Sequence, residues 1–178
     1  LTDPHFEGSD GRGVAAILKA CVQKGNYDLI LTGVQAEDGA AQVGGMLAAM
    51  LDYPFASLVT SIEVLGDRKL KIAREIEGGN REVSEIDLSC VLSIQIGINE
   101  PRYVGMKGIR AVQSIPIPTY GASDLGLTPR QVGAVAAKVT RVDYFVPALG
   151  GGARMLSGTR EENAQEVVEL VAAKGGLK

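Results

Sequence analysis

Residues 28–51, DLILTGVQAEDGAAQVGGMLAAML, set an apolar strand, a loop of small residues and an amphipathic helix in the order that nucleotide-binding α/β proteins use. The run Leu29-Ile30-Leu31 is short and apolar and stops at Thr32-Gly33, the pattern of a buried parallel strand whose carboxyl end opens into a loop. Ligands gather outside such ends, where the following helix offers unpaired backbone N–H groups and partial positive charge to an anion. The helix is expected to start near Ala41 or Gln42, with Val43, Met46, Leu47 and Met50 as its buried stripe. The segment therefore points to a phosphate-bearing ligand, with plain turn geometry as the alternative use of its glycines. The Walker pattern, GxxxxGK followed by Ser or Thr, does not occur, and Gly33 and Gly39 do not compose a dinucleotide GxGxxG.

Working outward, Asp10 can cap a preceding helix with the stripe Val14, Ile17, Leu18, Cys21 and Val22, ending at Gly25-Asn26. On the other side, Asp52-Tyr53-Pro54 makes a turn and 56–64 reads as a strand. Residues 69–77 alternate, Gly78-Gly79-Asn80 turns, and 81–86 alternate again, a hairpin that extends the parallel sheet at its edge. An inner strand is expected over 90–98, closed by Asn99-Glu100-Pro101. Residues 105–126 are rich in Gly and Pro and make poor core, and 114–118 is extended by its prolines. KVTRVDYFV, 138–146, reads as one further strand. Beyond a flexible Gly150-Gly151-Gly152, the capping box Thr159-Arg160-Glu161-Glu162 opens a last helix with an apolar stripe of Ala164, Val167, Val168 and Val171. A Pro/Gly-rich tail ending in an isolated amphipathic helix reads as an arm that lies on a partner. The expected division is a nucleotide-binding α/β domain over 1–112, with its hairpin at 69–86, and a carboxyl-terminal arm over 113–178.

Of the 178 residues 46% are hydrophobic and 22% charged, the balance of an ordinary globular protein able to bury a core. A net charge of −3 and only 4% aromatic residues argue against nucleic acid as a partner, which needs a basic surface and stacking platforms. Cys21 and Cys90 read as structural thiols of a reducing compartment. No apolar run approaches the length of a membrane span, so direct membrane insertion is not expected. His5, the single histidine, has no Cys or carboxylate at metal-ligand spacing and reads as a surface residue. With no GxSxG elbow and no histidine-centred triad, hydrolysis is disfavoured, and no catalytic acid or base stands out. Because the chain opens at Leu1 in the loop-like TDPHFEGSDG, an amino-terminal portion is expected to precede it.

Four elements in order carry a resemblance: YDLILTGVQAEDGAAQVGGMLAAMLDYP, then IAREIEGGNREVSEI, then INEPRYVGMKGI, then a terminal helix after a Gly-rich connector. This order resembles the beta subunit of electron transfer flavoprotein, the FixA-like half of a heterodimer that passes electrons between flavoenzymes. The chain departs from the family in having one residue fewer between Asp38-Gly39 and Gln42, and in having Ser89 where a proline often precedes the strand.

The resemblance implies a Rossmann-like, adenine nucleotide alpha hydrolase-like fold: a mostly parallel sheet with an antiparallel hairpin and an extended arm ending in a helix. It also implies an adenine-nucleotide site holding AMP, or a second FAD in bifurcating forms, while the redox FAD is held chiefly by the alpha subunit. Carried over residue by residue, Gly33, Ala36, Asp38, Gln42 and Val43 would surround the nucleotide phosphate, with Asp38 equally suited to a capping role. Arg74 and Glu75 would face the alpha subunit, the plain alternative being solvated strand charges. Met106, supported by Ile109, would anchor partner flavin dehydrogenases, the plain alternative being a loop residue tucked into its own domain. The implied compartment is the cytoplasm in a bacterium or the mitochondrial matrix in a eukaryote. A rival of another class is a stand-alone ATP-binding regulatory protein of the universal-stress type, which would form homodimers without flavin.

Overall fold

The structure, a computed structural model, describes residues 1–36, 40–148, 150 and 152–176. It comprises two compact units, Leu1–Arg141 and Val142–Lys178. In the first, helix α1 (Gly11–Val22) is followed by strand β1 (Leu29–Gly33), helix α2 (Val43–Leu51), strands β2 (Phe55–Gly66), β3 (Lys69–Glu75), β4 (Arg81–Asp87) and β5 (Cys90–Ile94), and short helices α3 (Met106–Val112) and α4 (Gly133–Ala136).

The sheet order is β1-β5-β2-β3-β4. β1 and β2 flank β5 in parallel, whereas β3 and β4 add on antiparallel beyond β2. The expected edge hairpin is thus present, and the far half of β2 joins it to make a three-stranded meander. Two irregularities in β2 allow this. Its register slips against β5 between Ala56 and Val59, and against β3 between Val59 and Ser61, and Leu58 takes a left-handed φ of 56°. Simple alternation would point Ala56, Leu58, Thr60 and Ile62 to one face. Instead Ala56, Val59 and Ile62 join the core, at every third position.

That core gathers Ala56, Val59, Leu70, Ile72, Cys90 and Leu92, each of the larger ones contributing about 2 kcal/mol through burial. Burial also pushes the Cys90 thiol up from its ordinary value, in keeping with a structural role. α2 packs on β5 and β2, and α1 packs on α2. The burial of α1 centres on Gly13, Ala15 and Ile17, so Val14, expected in the stripe, falls at its margin and is 37% exposed. The most buried residues of α2 are Gly44, Leu47 and Ala48, while Val43, Met46 and Met50 are half-buried.

Residues 120–138 are strapped onto the amino-terminal loop. The Asp3 carboxylate accepts from Ala122 N at 2.8 Å, Ser9 Oγ from Gly133 N at 2.8 Å, and Asp10 Oδ2 from Lys138 N at 2.7 Å. These bonds carry the first unit well past residue 112. The strand expected over 138–146 does not form: this segment has no regular secondary structure, and Val139, Val142, Tyr144, Phe145 and Val146 are exposed. Alternation along one segment is not enough, since a strand needs ladder hydrogen bonds from a second one. The inner strand expected to reach Ile98 stops at Ile94, after which Gly97 turns at a left-handed φ of 89°.

In the second unit, helix α5 (Arg160–Ala173) carries the expected capping box: Thr159 Oγ1 accepts from Glu162 N, and the Glu162 carboxylate accepts from Thr159 N. These bonds hold the Glu162 carboxyl below its ordinary pKa. Arg154 pairs with Glu166. The stripe of Val167, Val168, Leu170 and Val171 is exposed.

Candidate functional site

The parallel arrangement brings the carboxyl ends of β1, β5 and β2 to one side, where Gly33 stands opposite Ile94, itself opposite Val59. Helices α1 and α2 both begin there. Gln42, the residue before α2, places its side-chain oxygen 3.2 Å from where a Cβ on Gly11, the first residue of α1, would stand. Two positive helix ends therefore lie side by side over the strand ends.

The two ends differ chemically. At α1 the Asp10 carboxylate accepts from Gly13 N at 2.9 Å as well as from Lys138 N, so the protein supplies its own anion. The Gly13 bond, then the Lys138 bond, hold the Asp10 carboxyl below its ordinary value. At α2, Gln42 makes no side-chain capping bond and has a helical backbone, while Ala41 before it is left-handed with φ 56°. Among the described residues no side chain caps the first N–H groups of α2. Gly33 is exposed, with open space where a Cβ would be, Ala36 is exposed, and Val43 is half-buried at the first position of α2. Of the five residues carried over to a phosphate site, Gly33 ends β1 and Gln42 and Val43 open α2 at this end of the sheet, while Ala36 is exposed in the loop between them. Asp38 lies outside the described residues.

Sequence reading missed the floor beneath α2. Thr32 Oγ1 and Ser93 Oγ, on the adjacent strands β1 and β5, hydrogen-bond at 3.0 Å, and Ser93 is only 4% exposed. A Cβ on Gly44 would stand 2.4 Å from Ser93 Oγ and 2.8 Å from Thr32 Oγ1, so only glycine fits there. The Gly44-Gly45 doublet after an uncapped residue is the one signal in the chain that could have marked this close approach.

Arg74 and Glu75 lie at the same level of the sheet, since Arg74 pairs with Val59 in register. Arg74 Nε is 3.0 Å from Glu82 Oε2, an ionic contact across β3 and β4 without hydrogen-bond alignment. Glu75 Oε2 accepts from Gln95 Nε2 at 3.0 Å. With Leu58, Ile76 and Glu77 these residues line a hollow of about 450 Å³. Met106 opens α3, a helix the Gly-rich composition concealed. It is 63% exposed, and Ile109 and Val112 continue an exposed apolar face at three-residue spacing.

His5 Nδ1 lies 2.7 Å from Asp3 Oδ1 at the surface, and the described residues contain no group of three His, Cys, Asp or Glu able to hold a metal ion. The backbone N–H groups of His5 and Ala122, then the His5 ring, hold the Asp3 carboxyl down at about 2. Among the described residues no helix is long and apolar enough to cross a membrane.

Residues 1–125 match the family model of the electron transfer flavoprotein domain. The chain is 37% identical over 171 residues to an electron transfer flavoprotein subunit beta of Methylophilus methylotrophus, covering 95% of this chain and 64% of that protein. It is 36% identical over 161 residues to the caffeyl-CoA reductase-Etf complex subunit CarD of Acetobacterium woodii, covering 89% and 61%. To an electron transfer flavoprotein subunit beta of Thermoanaerobacterium thermosaccharolyticum it is 32% identical over 176 residues, covering 98% and 67%. The chain thus spans about two thirds of the length of these curated relatives. From the strand-loop-helix motif, the meander and this likeness along nearly its whole length, the chain belongs to the electron transfer flavoprotein beta subunit family.

Proposed function

We propose that this chain is the nucleotide-binding half of an electron-transferring heterodimer: it holds AMP at the start of α2, packs against an FAD-carrying alpha subunit and receives electrons from dehydrogenases docked at Met106. The observation that carries the nucleotide reading is the contrast between the two helix ends. α1 is filled by Asp10, whereas among the described residues no side chain caps α2, and Gly33 at the end of β1 is exposed. A phosphate fits that donor set. Gln42 adds a side-chain amide able to donate, and the left-handed Ala41 turns the chain into the helix.

The flavin, when bound, supplies the electron-transfer chemistry, and this chain contributes binding, orientation and electrostatics. Arg74 and Glu75 serve the alpha-subunit contact through their hollow, and Met106 with Ile109 offers an adaptable apolar anchor to dehydrogenases. A subunit of a caffeyl-CoA reductase-Etf complex being among the relatives favours one second reading, FAD in place of AMP at the same helix end.

The test is co-expression of the full protein with a candidate alpha subunit, size-exclusion chromatography, and identification of the cofactors released on denaturation. One AMP and one FAD per heterodimer is the expected result. Two FAD per heterodimer establishes the second reading. A homodimer that releases ATP and no flavin refutes both.

A further inference from the structure

We propose that Gly44 and the Thr32–Ser93 hydroxyl pair are positioning residues of the nucleotide site: they set how far the first turn of α2 stands above the strand ends, and through that the affinity for phosphate. This inference rests on the AMP reading above. Two observations carry it.

The first is the closeness of the seat. A Cβ at Gly44 would come within 2.4 Å of Ser93 Oγ and 2.8 Å of Thr32 Oγ1, and one on Gly45 would touch the Phe55 ring at 3.5 Å. The opening turn of α2 therefore rests directly on three side chains of β1, β5 and β2. Its height is fixed by contact, with no slack to absorb an added methyl group.

The second is the chemistry of the seat. Apolar side chains would pack equally well under a glycine, yet the buried Ser93 and its neighbour Thr32 are hydroxyls. The pair holds two O–H hydrogens and uses one between its own oxygens. The other hydrogen, on a pair that is only partly buried, is available to an acceptor oxygen arriving at the start of α2, either from a ligand or from water it orders.

Hydrogen bonds from backbone N–H groups to phosphate are confined to a narrow distance window, so lifting the turn by the space one methyl needs moves several donors out of reach together. AMP binding to the full protein, measured by calorimetry alongside thermal unfolding, tests this with three variants. Gly44→Ala is expected to weaken AMP by at least about tenfold. Gly44→Ala with Ser93→Ala, which removes the nearer oxygen but leaves Thr32 Oγ1 in place, is expected to recover part of that loss. Ala48→Gly, on the buried face of α2 away from its first turn, is expected to lower the unfolding temperature while leaving AMP affinity within about twofold, because it removes helix propensity without touching the seat.

The inference is overturned if a folded Gly44→Ala protein binds AMP as the unaltered protein does, if Ala48→Gly loses as much affinity, or if the double variant is no better than Gly44→Ala. Failure of the unaltered protein to bind AMP overturns the nucleotide reading, and this inference with it.

Discussion

Asp10→Ala tests the arrangement at the start of α1 most directly, because one carboxylate there performs two tasks. It caps the helix through Gly13 N and receives Lys138 N from the far end of the first unit. Losing an N-cap costs about 1 kcal/mol. Losing a second hydrogen bond to a charged acceptor costs about 1.5 kcal/mol, the low end of its range being appropriate for a partly exposed group. The expected loss is thus about 2–3 kcal/mol, read from urea unfolding at neutral pH with unchanged cooperativity. Asp10→Asn keeps a good cap and is expected to lose less than half of this. The pH dependence gives a second readout. The folded-state pKa of Asp10 is depressed, so its contribution is fully present above the ordinary value of 3.8 and is lost as pH falls through the lower folded value. The gap in stability between the native protein and Asp10→Ala should stay constant from neutral pH to about 5 and then narrow in acid. A loss below about 0.5 kcal/mol, or a gap that does not narrow, would refute the account.

Leu92→Ala, at a fully buried position of the inner strand β5, should cost about 2–5 kcal/mol by removing transfer energy and leaving a cavity, measured as a lower urea midpoint with unchanged slope. For Asp3, a side-chain titration by NMR should give a value of about 2, rising when His5→Ala removes the ring beside it; an ordinary carboxylate value would show that the bonds to His5 N and Ala122 N do not form in solution.

Local signals were legible wherever a residue's partner lies nearby in sequence. Asp10 and Thr159 announced their caps, and the alternation around Gly78-Gly79 announced the hairpin, because caps and turns are settled within a few residues. The strand-loop-helix motif gave the sheet end that faces the candidate site for the same reason. What depends on distant partners was hidden. No pattern around Gly44 says that Ser93 will lie beneath it, and KVTRVDYFV alternates like a strand although it takes no regular secondary structure. Helix α3 escaped notice because Gly105 and Gly108 depress propensity, leaving only the spacing of Met106, Ile109 and Val112 to reveal it. Val14 was misplaced because three-and-four spacing finds a stripe without saying where its centre lies.

The paired slips in β2 govern how this sequence can drift. Each slip reverses the faces of the strand once, and together they return Ile62 to the side it would have had without them. Losing or gaining one residue between Ala56 and Ile62 would turn the rest of the strand inside out and carry the meander's apolar side into water. In this stretch the number of residues is therefore inherited more strictly than their identities, and viable variants arise by exchange of side chains at constant length.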